Sequence, residues 1–226
     1  MKKAICFLLV LAPAMSFADQ TVNLQWSICD SSPEAVLQKM GASDTSKSKT
    51  EVITYYDTQP PVFDSQGISF RTKGTNQDSV VKVRFDQEPA NTPAGADCLW
   101  ERYGNQEKYV CEIDQDLPGN QSSPWSADQL NFVDQYKRVD PATLIAFGPY
   151  DNPKWKVKLG SGLKGTFDTV ETPGQHLMEL EIKLDKSEDD STYDQVTSVL
   201  NSAGVILCPV QEGKTTRLFK AMGLYR

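Results

Sequence analysis

Arg71 and Lys73 stand two residues apart, and so do Lys82 and Arg84, Lys156 and Lys158, and the acids Glu179 and Glu181. On a β-strand that spacing puts both members of a pair on one face, because successive side chains point to opposite sides. Fixed cations gathered on one wall suit phosphate oxygens, which an arginine fork can bind in pairs. Two acids at i and i+2 lie about 7 Å apart at their backbones. Such a pair can share one hard divalent cation that also touches phosphate and water. Cations for phosphate plus carboxylates for Mg²⁺ or Mn²⁺ are the minimum for metal-assisted phosphoryl hydrolysis. The competing reading is a solvated outer face, where alternating charge is commonplace. Which face of residues 177–184 points inward separates the two.

The elements that carry these residues read as short strands. Within 54–85, residues 67–73 set Ile68, Phe70 and Thr72 against Ser69, Arg71 and Lys73, and 79–85 set Val81, Val83 and Phe85 against Lys82 and Arg84. Thr21–Ile28 alternates with an uncharged polar face, Asn23, Gln25 and Ser27. Residues 99–103 and 108–114 bracket the turn Gly104-Asn105, a hairpin signal. Residues 154–159 and 165–171 follow, and 177–184 alternate most sharply, with Met178, Leu180, Ile182 and Leu184 opposing Glu179, Glu181 and Lys183. Helices are expected at 33–40 with Ser32 as cap, at 126–139 with Ser126 as cap, and at 192–203. About eight strands and three helices favour a mainly β (α+β) architecture: an antiparallel barrel or strongly curved sheet with a few outer helices. In a closed barrel, alternate residues of every strand enter the lumen.

Export is expected. Lys2-Lys3, the apolar run 4–15 and Ser16-Phe17-Ala18 read as a signal peptide over 1–18, leaving 19–226 as one domain. The predicted location is periplasmic or secreted, with no membrane insertion after signal removal. The formal net charge of −7 argues against general nucleic-acid binding. Cys29, Cys98, Cys111 and Cys208 remain after the signal, an even number that suits two disulfides in an exported chain. Three pairings are open. Cys98 with Cys111 would staple a hairpin, and Cys29 with Cys208 would then tie the start of the fold to its end. The stretch 160–165 lacks the order of a phosphate-binding P-loop, and His176, the single histidine, reads as a surface residue.

Tyr55-Tyr56-Asp57-Thr58, then Gly67-Ile68-Ser69-Phe70-Arg71, then Val81-Lys82-Val83-Arg84 resemble the progression of the CYTH-like domain of the triphosphate tunnel family, over nearly the whole chain after the signal. The resemblance implies an antiparallel eight-stranded barrel whose tunnel holds a triphosphate-bearing ligand with Mg²⁺ or Mn²⁺. It implies phosphate binding by Arg71, Lys82 and Arg84, and by Lys214 or Arg217. It makes Glu112, Glu179 and Glu181 metal-side acids. Lys156 and Lys158 join the phosphate candidates from their strand alternation.

One departure matters. The family's first strand carries glutamate-x-glutamate-x-lysine, where this chain has Asn23, Gln25 and Ser27. Neutral amides bind Mg²⁺ more weakly than carboxylates do. The leading expectation is therefore an exported protein that binds a small phosphorylated or polyanionic ligand in a basic tunnel. A divergent Mg²⁺- or Mn²⁺-dependent triphosphate phosphohydrolase and a non-catalytic interaction barrel are the alternatives.

Overall fold

The computed structural model describes residues 20–42, 49–74, 78–116, 123–160 and 162–225. The expected signal peptide lies outside them. Nine strands among the described residues close into one barrel: β1 (Thr21–Ile28), β2 (Lys49–Asp57), β3 (Ile68–Lys73), β4 (Asp78–Phe85), β5 (Asp97–Tyr103), β6 (Gln106–Gln115), β7 (Ile145–Lys158), β8 (Lys164–Thr172) and β9 (Gln175–Asp185). Around the barrel their order is β1, β5, β6, β4, β3, β2, β7, β8, β9.

This corrects the expectation of eight antiparallel strands. Strand directions can alternate all the way around a closed ring only when the number of strands is even. With nine, one neighbouring pair must be parallel, and that pair is β1 with β5. β7 also starts earlier than its alternation at 154–159. Gly148 and Pro149 fall at a register shift opposite β2, between Ile53 and Tyr55, where proline's missing N–H does not cost a ladder bond.

Four α-helices accompany the barrel among the described residues, one more than expected: α1 (Pro33–Lys39), α2 (Ala127–Asp134), α3 (Asp189–Ser202) and α4 (Lys214–Ala221). Ser32 caps α1 by accepting from the Ala35 N–H, and Ser126 with Gln129 forms a reciprocal capping box on α2. α2 stops at Asp134, short of the expected 139, where the Asp134 carboxylate accepts from the Val139 N–H.

The helices decide which face of the sheet is outside. Val36 and Leu37 of α1, with Tyr193, Val196 and Leu200 of α3, pack on Leu24, Trp26, Met178 and Leu180. Phe132 and Val133 of α2 pack with Trp125 on Phe70, Val81, Val83 and Ile113. Each such side chain, fully buried, is worth about 1.5–3 kcal/mol. The apolar strand faces therefore point outward beneath helices, and the polar faces are left to line the lumen. α4 is different: Leu218 and Phe219 pack on Tyr55, Phe147, Val170 and Leu177. Val170 and Leu177 alternate in phase with the lumen residues Asp168 and Glu179, so α4 plugs one end of the barrel with apolar side chains.

Both disulfides are formed. Cys98 and Cys111 sit directly opposite in the β5–β6 hairpin. Cys29 and Cys208 join the end of β1 to the segment that leads into α4. In the loop-closure account, a separation of 179 residues implies about 5 kcal/mol of stabilisation and one of 13 about 3 kcal/mol. Replacing both cysteines of a pair by serine should lower the urea midpoint more for Cys29/Cys208 than for Cys98/Cys111. Parallel equilibrium unfolding curves test this.

Candidate functional site

A cavity of about 180 Å³ lies inside the barrel, lined by Arg71, Lys82, Arg84, Glu101, Glu179 and Lys214 among others. Glu179 and Glu181 both face it, which answers the question of the 177–184 strand in favour of an inward charged face. A second cavity of about 230 Å³ shares Arg84, Glu101, Tyr103, Gly213 and Thr215 with the first, so the two meet along that pair of walls.

Most of the lumen's charges are matched within the protein. Glu101, on β5, is 3% exposed and takes Lys82 Nζ on Oε1 at 2.9 Å and Arg84 Nε on Oε2 at 3.5 Å. Burial would raise its pKa, but Lys82 and Arg84 outweigh burial and bring it down to about 2. Lys82 also reaches Glu112 Oε2 at 3.0 Å. On the opposite wall, Lys214 Nζ lies 2.5 Å from Asp168 Oδ1 and 2.7 Å from Glu179 Oε1. Tyr103 donates its hydroxyl to the other Glu179 oxygen at 2.7 Å. Burial disfavours the charged form of Lys214, yet the two carboxylates hold its pKa well above the ordinary lysine range. Glu51 pairs with Lys154 and with Lys49, which carry it against burial down to about 2.

Arg71 stands apart. It faces the cavity from β3 and forms no salt bridge among the described residues, and its Nε is buried without a hydrogen-bond partner. Beside it across the β2–β3 ladder, the hydroxyl of Tyr55 is likewise buried and unpartnered among the described residues. Burial pushes the Tyr55 pKa up to about 12, so it stays a neutral donor at physiological pH. A buried polar group without a partner costs roughly 1–3 kcal/mol. Two adjacent orphan donors therefore form a prepared seat for an acceptor.

Of the sequence candidates for phosphate, Arg71, Lys82, Arg84 and Lys214 share the cavity. Lys156 and Lys158 keep the inward phase of β7 but lie exposed beyond the lumen, where Lys156 donates to Thr166. Arg217 donates to the backbone carbonyls of Met178 and Ile28 at 2.8 and 3.1 Å, fastening α4 to the barrel. Of the metal-side candidates, Glu179 and Glu181 share a wall, whereas Glu112 is on β6 and paired to Lys82. Among the described residues, no three His, Cys, Asp or Glu side chains are grouped closely enough to hold a metal ion. His176 lies exposed beside Glu171.

Glu101, Asp168 and Lys154 were not singled out by the sequence, and Tyr55 entered only within the Tyr55-Tyr56-Asp57-Thr58 resemblance, without a role in the site. Leu99, Glu101 and Tyr103 share the inner face of β5 with no common polarity, so alternation could not mark it. On β2 the inward residues are Glu51, Ile53 and Tyr55, a mostly apolar set.

No family model and no curated protein matches the chain. Solved structures do. A Hippeastrum protein described as a candidate adenylyl cyclase with a dominant triphosphatase activity superposes at a TM-score of 0.56 and 14% identity, over 88% of this chain and 95% of that one. A candidate adenylate cyclase from Bacillus halodurans superposes at 0.58 and 13% identity, over 89% of this chain and 98% of its own. The chain has the CYTH-like triphosphate-tunnel fold. At these identities the likeness establishes the fold alone, and the chemistry has to be argued from the side chains.

Glu101→Gln tests the central pairing. It leaves Lys82 and Arg84 facing a neutral amide, at an expected cost of about 3 kcal/mol at neutral pH. The folded pKa of Glu101 is depressed from 4.5 to about 2. Its stabilisation is therefore full above about pH 4.5 and is lost as pH falls toward about 2. Urea melts across that window should show wild type converging on the variant; a gap that stays constant with pH would contradict the pairing.

Proposed function

We propose that this chain is an exported protein whose barrel lumen binds a small phosphorylated or polyanionic ligand. The observation that carries the reading is the pair of unpartnered donors, Arg71 Nε and Tyr55 Oη, facing the same cavity as Lys82, Arg84 and Lys214. An anionic oxygen seated at Arg71 would accept from its guanidinium and from the Tyr55 hydroxyl. Lys82 and Arg84 would remain on Glu101 and present their outer donors to the rest of the ligand. The charged lining also speaks against a barrel kept only as a scaffold. Export is supported by the two disulfides, which persist in oxidising compartments. Among the described residues no helix is long and apolar enough to cross a membrane.

Triphosphate hydrolysis is the second reading, favoured by the triphosphatase activity of the Hippeastrum protein that shares the fold. The residues here do not fit a divalent metal well. The β1 positions are neutral, Glu112 is held by Lys82, and Lys214 occupies Asp168 and Glu179.

Isothermal titration with tripolyphosphate tests the binding reading, with phosphate release measured in parallel in Mg²⁺ and Mn²⁺. Binding without release is the expected result; release at a steady rate would favour hydrolysis, and no heat of binding would end both. Arg71→Met separates function from stability. A charge-assisted hydrogen bond worth about 1.5–3 kcal/mol predicts a loss of affinity of roughly tenfold or more. Removing a cation that has no partner in the ligand-free protein should leave the melting temperature equal or higher.

A further inference from the structure

Lys214 places a positive charge where the fold's acidic wall would otherwise need one from solution. Its Nζ lies 2.5 Å from Asp168 Oδ1 and 2.7 Å from Glu179 Oε1, and the three side chains are 12%, 18% and 5% exposed. Asp168 and Glu179 are direct partners in the β8–β9 ladder, so two carboxylates face each other across one strand spacing. Such a pair cannot stay ionised without a cation between them. Here the cation is covalently attached to the chain.

The attachment is firm. Gly213 precedes α4, and the segment before it is held on several sides. Cys208 is bonded to Cys29. Gln211 donates to the Ser27 and Cys208 carbonyls at 3.0 and 2.8 Å and accepts from the Ser27 N–H at 2.8 Å. The Ser27 hydroxyl donates to the Glu212 carbonyl at 2.7 Å. Behind Lys214, Arg217 fastens to Met178 and Ile28, and Leu218 and Phe219 are fully buried. The lysine therefore enters the lumen from a braced helix start and cannot swing away without unseating α4.

The neighbouring strand completes the argument. β1 runs beside β9 with Gln25 opposite Glu181 and Ser27 opposite Glu179. The positions that could add carboxylates to this wall are an amide and a hydroxyl. Gln25 gives its amide to Glu181 at 3.3 Å. Lys214 already spans the two acids that face each other on this wall, so a divalent ion would have to displace it to reach both.

We infer that Lys214 is a built-in counter-cation that takes the place of a divalent metal, so that the tunnel binds its anionic ligand without one. This rests on the anion-binding reading above for its ligand, but its test does not. Wild-type protein titrated with Mn²⁺, followed by the free Mn²⁺ electron paramagnetic resonance signal, should bind none at the site. Lys214→Met should gain one Mn²⁺, and Lys214→Met/Glu179→Gln should lose it again. Tripolyphosphate affinity of the wild type should change less than about twofold between excess EDTA and excess Mg²⁺.

Stoichiometric Mn²⁺ binding by the wild type would overturn the inference, and so would a tenfold or greater loss of tripolyphosphate affinity in EDTA. If tripolyphosphate fails to bind under any condition while Lys214→Met gains Mn²⁺, the anion reading falls and the role of Lys214 stands. Should Lys214→Met not fold, Lys214→Arg retains the charge and must remain blind to Mn²⁺, and the wild-type comparison in EDTA decides alone.

Discussion

A charge removed from water must find an opposite charge within hydrogen-bond reach or become neutral, and this constraint governs the inside of the barrel. The three α-helices on the outer surface bury the apolar faces of β1, β3, β4, β6 and β9. Once that happens, the polar faces have nowhere to go but the lumen. Their cations and acids then have to be arranged against one another. Glu101 between Lys82 and Arg84, Glu51 between Lys49 and Lys154, and Lys214 between Asp168 and Glu179 are the three results. The fold and the site are thus two consequences of one distribution of polarity along the strands.

The same constraint shows why Arg71 is conspicuous. Every other lumen cation discussed above has an acid within salt-bridge distance, and Arg71 has none among the described residues. Glu112 and Glu101 still hold its charge from a distance, raising its pKa against the effect of burial. A guanidinium kept charged but not bonded is poorly solvated and well placed to receive an anion. Its neighbour Tyr55 is neutral and also lacks an acceptor. Ligand affinity at such a seat comes from groups whose desolvation was already incurred on folding, the general benefit of preorganisation.

Much of this architecture was legible in the sequence, and the parts that were not have physical reasons. Alternation located the inward cations Arg71, Lys82 and Arg84 and the acids Glu179 and Glu181, because their strands oppose charge to aliphatic side chains cleanly. It missed Glu101 and Tyr55, because β5 and β2 mix apolar and charged residues on the inner face, where α4 supplies an apolar plug at one end. It placed Lys156 and Lys158 on the correct face of β7 but could not tell that this end of the strand runs past the lumen. Alternation has phase but no depth. Nor could it count strands around a ring, so the parallel contact of β1 with β5 was invisible until closure imposed it.

The uncharged polar face of β1 and the lysine that enters the lumen beside it are best understood together. Suppose Asn23 and Gln25 were carboxylates. The wall shared by β8, β9 and β1 would then carry five acids, Asp168, Glu179 and Glu181 plus those two, and a single ammonium could not balance them; a divalent ion would be needed. With amides at those positions, Lys214 contacts two of the three remaining acids directly, Asp168 and Glu179, and Gln25 donates to the third, Glu181. The uncharged β1 face and the braced Lys214 are therefore complementary parts of one charge balance, viewed from two strands. The Cys29–Cys208 bond belongs to the same arrangement, since it joins the end of the uncharged strand to the segment that delivers the lysine.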